Sequence, residues 1–416
     1  MKQAMNNNFK IILGIIGAGI VAAGAILWLV YFQTPTLGTN ITEQPFGTGN
    51  TQNNTSVTTP GVTDIPTTET PGTGKIFKIA DGPVAGATLI DTTRPTSTIA
   101  RFVLQTNGHA FDLMLDSPGA VPKSISNITV PGIKKVSWTG STGSPQGERR
   151  DALMQYIDIE TIKTVHFALP PVTSTTTIPV RVQFLPSNIA SLAVSPDGAS
   201  VAYLLKTAKG SDVYTARADG GGAKNIVSLP LSEIALSWPE QGTLLAGSAP
   251  ASGVTGAIFS IDARTGAYAP LMFAQGITAI ADRAFGRIVY QTEGADHTTY
   301  SRNIKTGLSS PLSFSPVPEL CVWSLATSTT MYCAVPFSYV KTNYLDLLHM
   351  GVAGPAQSIV GYDLTRLRST IIAVPGGTAD GGEQADIAEL AISKSERYLL
   401  YIRKSDRSLW VVRLTQ

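Results

Sequence analysis

Five stretches of this chain repeat one another, and that repetition limits the fold more than any other feature. IASLAVSPDGASVAYLL, LSEIALSWPEQGTLLAG, GITAIADRAFGRIVYQT, ELCVWSLATSTTMYCAV and IAELAISKSERYLLYIR each read as an apolar strand, a polar turn and a second apolar strand. Aligned on Ser195, Ser237, Ala281, Ser324 and Ser393, the first intervals are about 42–44 residues, the period expected of four-stranded propeller blades. The last interval is longer, which implies an insertion. An earlier copy, IKKVSWTGS, fits at Ser137. The second half of the unit recurs as well: SDVYTARADGGGAKNIVSL, GAIFSIDARTGAYAPLMF and TTYSRNIKTGLSSPLSF each place a strand, a tight turn and another strand.

The residues around these copies agree with them. From Lys75 to Gln416 the apolar stretches are short, β-branched or aromatic, and bounded by Gly, Pro, Asn, Asp or Ser, as in IARFVLQT, DALMQYIDI, RIVYQT and SLWVVRL. Such runs read as strands joined by turns, and no segment of this region keeps a helical period. The expectation is an all-β propeller of seven four-stranded blades near 87–128, 131–187, 189–229, 232–273, 276–314, 318–375 and 386–416. Six blades is the alternative count. The last blade shows three strands, and KIFKIAD, Lys75 to Asp81, supplies the fourth. That pairing joins the two ends of the region and removes the open edges of a linear array. SPDG followed by DVYTARADG resembles the WD40-like repeat of the TolB-type propellers, specifically over Ile189 to Leu229 and more loosely elsewhere. The resemblance implies the propeller fold and carries no activity, because propellers host many unrelated functions.

A different signal stands near the start. Ile11 to Phe32 reads IILGIIGAGIVAAGAILWLVYF without a charged side chain, and about 20 apolar residues span a hydrocarbon core of about 30 Å. Lys2 and Lys10 precede it and the next positive charge is Lys75, so the positive-inside rule puts the N-terminus in the cytoplasm and the rest outside. Trp28 and Tyr31 stand at the outer end, where amphipathic rings favour the interface. The expected organisation is a cytoplasmic segment 1–10, a transmembrane signal anchor 11–32, a tether 33–74 and an extracytoplasmic propeller 75–416. A cleaved secretory signal is the alternative for 11–32, with Ala22-Ala23-Gly24-Ala25 offering small residues for cleavage. The tether, rich in Thr, Pro, Gly and Asn, buries too little apolar surface to offset the entropy of ordering. Asn40, Asn53, Asn54 and Asn127 fit the glycosylation acceptor pattern. The expected location is the plasma or cytoplasmic membrane, as a single-pass protein.

Cys321 and Cys333 flank VWSLATSTTMY symmetrically about Thr327. Residues equidistant from a hairpin turn face each other across an antiparallel pair, and an exported domain permits a disulfide. A cross-strand disulfide within the sixth blade is expected, with two buried free thiols as the alternative. Two cysteines without suitably spaced histidines make no zinc site, and no metal or cofactor is expected.

Chemistry is sparse. G-x-S-x-G and H-E-x-x-H do not occur, a net charge of +2 gives no reason to expect nucleic acid, and no catalytic residue is assigned. His109, His166 and His297 are scattered and read as structural or surface residues. Two loops break the repeat. One, from about Pro336 to Ser358, holds Phe337, Tyr339, Tyr344 and His349; exposed aromatics on a rigid scaffold are typical binding anchors. The other, GGTADGGEQAD, holds Asp380, Glu383 and Asp386, which could face a cation or basic partner but lack the full calcium-loop pattern. Two functional readings follow. The first is a tethered binding or scaffolding module for a protein, peptide or glycan partner outside the membrane. The alternative is a hydrolase of glycans or peptides with paired carboxylates at the channel mouth.

Overall fold

The computed structural model describes residues 74–93, 96–126, 128–140, 149–172, 180–293, 297–338, 344–352 and 354–414. The anchor 11–32, the tether apart from Gly74, Asn127 and Tyr339 lie outside them. Among the described residues no helix is long and apolar enough to cross a membrane.

The described strands form seven sheets of four strands. β1 (Ile76–Ala80) opens the region. Blade 1 is β2 (Val84–Thr93), β3 (Thr96–Leu104), β4 (Ala110–Met114) and β5 (Lys123–Ser124). Blade 2 is β6 (Ile133–Gly140), β7 (Arg149–Asp158), β8 (Thr161–Ala168) and β9 (Arg181–Phe184). Blade 3 is β10 (Ile189–Val194), β11 (Ser200–Thr207), β12 (Gly210–Arg217) and β13 (Lys224–Leu229). Blade 4 is β14 (Ile234–Glu240), β15 (Thr243–Ser248), β16 (Thr255–Asp262) and β17 (Tyr268–Gln275). Blade 5 is β18 (Thr278–Ala281), β19 (Arg287–Gln291), β20 (Thr299–Asn303) and β21 (Ser309–Pro311). Blade 6 is β22 (Cys321–Trp323), β23 (Thr330–Pro336), β24 (Gln357–Asp363) and β25 (Arg368–Ala373). Between β23 and β24 stands a short helix, α1 (Tyr344–His349). Blade 7 is β26 (Ile387–Ile392), β27 (Tyr398–Arg403) and β28 (Leu409–Arg413), with β1 as its outer strand. The count is seven, and six blades is overturned.

Every pairing is between antiparallel neighbours, and the blades pack in succession: β2 meets β6, β6 meets β10, β10 meets β14, β18 meets β15 and the turn Pro318–Leu320, β22 meets β26, and β26 returns to β2. β1 closes the ring by pairing Ile76 with Val412, Phe77 with Val411 and Lys78 with Trp410. Its apolar positions are buried, with Ile79 wholly inaccessible. In such an up-and-down order the first and third turns of each blade share one face of the disc. The middle turns and blade-to-blade connections share the other. The chain joins β1 from Gly74, on the first-turn face.

The repeated position in the first turn is a cap. Ser195 Oγ accepts from Ser200 N at 2.9 Å, Ser324 Oγ from Thr327 N at 2.9 Å and Ser393 Oγ from Tyr398 N at 3.1 Å. In blade 5 the equivalent is Asp282, whose carboxylate accepts from Gly286 N at 2.7 Å. The alignment at Ala281 is therefore one residue short, and Ser237 likewise stays inside the ladder opposite Leu245. Gly198 of the SPDG turn has φ +76° and lies against Gly140 of blade 2, where a Cβ would sit 2.4 Å from its nitrogen. Only glycine fits that approach.

Polar clasps join particular blades. Fully buried Arg101 binds Asp112 through two bonds of 2.7 and 2.8 Å and donates to the carbonyls of Arg150 and Pro170 in blade 2. Asp116 of blade 1 accepts from Tyr398 Oη at 2.8 Å and Arg397 Nη1 at 3.1 Å in blade 7. The disulfide joins Cys321 to Cys333, which stand opposite each other in the β22–β23 register.

Candidate functional site

The insertion after β23 lies on the middle-turn face, and its contacts show where it goes. Asp346 of α1 accepts from Ser252 N at 3.1 Å, in the middle turn of blade 4. His349 Nε2 lies 2.6 Å from Glu319 Oε2, on the connection from blade 5 to blade 6. Lys404 Nζ, in the middle turn of blade 7, donates to the carbonyls of Leu348 at 3.1 Å and Val352 at 2.7 Å. Blades 4 and 7 are not neighbours in a ring of seven. A segment of blade 6 that touches both spans this face beside the connections into blades 6 and 7. Lys404 thereby ties the last turn of α1 and the residues just after it to blade 7. Leu345 is buried with Val317, Leu320, Ala385 and Ile387 beneath the helix.

These ties are charged. The bond from Glu319 raises the His349 pKa above its usual value, against the opposing effect of burial. Burial would raise Glu319, but His349, together with a 2.7 Å bond from Thr278 Oγ1, brings its carboxyl below the usual range. Burial lowers Lys404, and the Asp386 carboxylate partly offsets it.

The outer surface of the cap is apolar. Phe337 is 59% exposed and Met350 75%, with Val352 two residues after Met350 and Val254 on the loop that holds Asp346 also exposed. Of the sequence-derived candidates, Phe337 and His349 thus belong to this cap. Tyr344 starts α1, its side chain lying outside the described atoms.

The acidic loop does something else. Asp380 pairs with Lys75 at 2.8 Å and accepts from Val374 N at 2.8 Å. Glu383 pairs with Lys78 at 3.4 Å and with Arg403. Gly382 lies against Ile76 and Trp410. Burial would raise the Asp380 carboxyl, yet Lys75 and the Val374 N–H hold it below the usual range; Arg403 does the same for Glu383. Asp386 is buried, its backbone carbonyl accepting from Lys404 N at 2.7 Å and its carboxylate from Ser405 N at 3.3 Å. These carboxylates therefore fasten β1 and the middle turn of blade 7. No group of three or more His, Cys, Asp or Glu among the described residues could hold a metal ion.

The remaining histidines do not converge. His109 Nε2 lies 3.2 Å from Thr129 Oγ1 at the surface. His166 is buried 3.8 Å from Asp151, and burial lowers its pKa, with Asp219 opposing. The residues that sequence reasoning missed are Ser252, Glu319 and Lys404. Each lies far along the chain from α1, and nothing local marks them.

A cavity of about 510 Å³ opens on the same face at blades 2 to 4, lined by Ile162, Asn188, Leu205, Ile234 and the paired Lys206 and Glu233.

No protein-family model matches this chain, and no curated protein matches it. Solved structures do. An oligogalacturonate lyase from Vibrio parahaemolyticus aligns with TM-score 0.50 and 8% identity over 82% of this chain and 94% of its own. TolB from Acinetobacter baumannii aligns with TM-score 0.42 and 13% identity over 70% of this chain. The match spans 64% of that TolB chain, less than two thirds of its length. A chain of the Mitotic Checkpoint Complex aligns with TM-score 0.49 and 12% identity over 88% of this chain and 100% of its own. The described strands form a seven-bladed propeller with four strands per blade. At such identities the likeness concerns the fold, and the function must be argued from the site.

Proposed function

We infer that this protein is a membrane-tethered extracytoplasmic propeller that binds or scaffolds a protein, peptide or glycan partner through its middle-turn face. The observation that carries the reading is the cap. An insertion spans this face, is fixed by blades 4 and 7 and by the connection between blades 5 and 6, and leaves apolar side chains exposed. Apolar side chains held on a rigid frame lose little entropy on binding, which is the economy of a preorganised interface. The chain joins the disc at Gly74 on the opposite face, so attachment there leaves the cap unobstructed. The hydrolytic reading ranks second, because Asp380 and Glu383 are already engaged with Lys75, Lys78 and Arg403.

A photo-crosslinking amino acid placed at Phe337 or Met350 tests this in cells producing the full chain. Discrete adducts from those positions, and none from Leu308 or Leu367 on the first-turn face, are expected. Adducts only from Leu308 or Leu367, or from no position, would overturn the choice of face. Attachment through residues 11–32 is checked by deleting them: the protein should then leave the membrane fraction.

A further inference from the structure

Each blade ends in an outer strand whose free edge presents backbone N–H and C=O groups, a template for pairing with another strand. Most of these edges are blunted. β1 carries Lys78, β5 Lys123, β9 Arg181, β13 Lys224 and β25 Arg368. β21 has 3 residues and ends in Pro311. β17 differs: its 8 residues, YAPLMFAQ, make it the longest outer strand, and none is charged. Pro270 interrupts only its first half.

Two further details make this edge a surface. The register of β17 against β16 shifts between Ile258 and Phe259, leaving Leu271 as an extra residue. A bulge changes the side-chain parity, so Tyr268 and Phe273 reach the same side although an odd number of positions separates them. Both rings flank Phe259 edge-on, at 6.2 and 6.1 Å. Tyr268 is 50% exposed and Phe273 64%. The backbone alternation is also fixed. Gly276 N donates to Val254 O at 3.0 Å, and Gln275, Ala274 and Phe273 oppose Thr255, Gly256 and Ala257. Gly276 and Ala274 therefore turn their polar groups toward β16, while Gln275 and Phe273 turn theirs outward. The Gln275 carbonyl is indeed used from outside, by Glu293 N at 2.8 Å. The Phe273 N–H and C=O point away from the blade.

We propose that β17 pairs antiparallel with β17 of a second copy of this chain, about a two-fold axis at Phe273. Each Phe273 N–H then donates to the other copy's Phe273 carbonyl, and the aromatic pairs of the two blades adjoin. About that axis only Phe273 meets its own counterpart, and the residues on either side meet one another, Met272 opposite Ala274 and Leu271 opposite Gln275. A self-pair therefore brings every charge of the strand in twice, close to its like, which destabilises a cross-strand pair. Among the outer strands longer than 3 residues, β17 alone avoids that conflict, which is why the fitting occupant is a second copy. The contact lies on the rim of the disc and leaves both faces free, so it stands independently of the binding face proposed above.

The experiment uses the full chain with Phe273→Cys. Cys321 and Cys333 are bonded to each other, so the introduced thiol is the sole free one. Mild oxidation in intact membranes should give a covalent species of twice the chain mass, at least about fivefold more abundant than from Asn225→Cys on β13, since only the former side chains meet within disulfide reach. Light scattering of the purified full chain should show a dimer that Phe273→Lys, with an unchanged circular dichroism spectrum, converts to monomer. Equal cross-linking from both positions, a monomer at every concentration, or cross-linking of Phe273→Cys to a different protein would each overturn the proposal.

Discussion

Residues 374–386 carry three carboxylates, and the insertion between β23 and β24 carries exposed apolar side chains. Both segments interrupt the same repeat on the same face, yet they do opposite things. The acidic loop turns inward: Asp380 and Glu383 hold Lys75, just before the strand that closes the ring, and Lys78 within it. The apolar insertion keeps its own charges, Asp346 and His349, for its fixation, is held also by Lys404 of blade 7, and leaves Phe337 and Met350 to solvent. The lesson is that an unusual loop is understood by asking where its polar groups find partners. Carboxylates within reach of a closure strand become part of the scaffold, whereas apolar groups with nothing above them remain available to a partner.

That contrast can be broken by substitution, and the largest effect belongs to the closure strand. Ile79→Ala removes a wholly buried side chain from β1 and should cost about 2–4 kcal/mol, read by urea denaturation. A loss under half of that would mean that β1 contributes little to ring closure. Asp380→Asn is next: weakening its bonds to Lys75 and Val374 N should cost about 1–2 kcal/mol, and Lys75→Ala should add little once Asp380 is changed. Full additivity of the two would show that they do not act as a pair.

The two segments should also respond to pH in opposite senses. His349 has a raised pKa in the folded protein, so its contribution is complete below its unfolded value of 6.5 and is lost as pH rises through the folded value. Asp380 and Glu383 have lowered pKa values. Their contribution is present above the unfolded values of 3.8 and 4.5 and is lost as pH falls through the folded ones. Glu319 shares that acid limit, so the cap is tightest between the two ranges. Hydrogen-exchange protection of α1, corrected for intrinsic rates, should fall about two- to fivefold on the alkaline side, the scale of one exposed ion pair. Residues 374–386 should loosen only in acid. His349→Gln should abolish the alkaline effect; persistence of that effect would assign it to another group. The smallest effect belongs to Phe337→Ala, which should change stability by under about 0.5 kcal/mol while removing the adducts expected at the cap. A larger loss of stability would show that Phe337 packs against the scaffold.

Much of the architecture was legible because it rests on local pattern. Alternating short strands, a fixed period and turns such as SPDG all sit within a few residues of one another, and the blade limits followed from them. The symmetry of Cys321 and Cys333 about Thr327 gave the pairing because a hairpin fixes which residues face each other. The pairing of Lys75–Asp81 with the last blade was also readable, from a blade one strand short. Alignment by residue type erred where the cap changed from Ser to Asp at Asp282.

The candidate site was less legible. The aromatic insertion stood out as a break in period, but nothing in its residues says that it crosses the face or that Ser252, Glu319 and Lys404 receive it. GGTADGGEQAD read as a possible cation site because a run of carboxylates looks alike whether its partners are ions in solution or lysines some 300 positions earlier. The sequence alone determined the repeat and pointed to the closing strand and the cysteine pair, since each depends on spacing along one strand or across one turn, while the structure decided between seven blades and six. Only the tertiary structure decided which charges are spent on closure and which apolar groups stay exposed, because those partners meet through ring geometry and not through nearness in the chain.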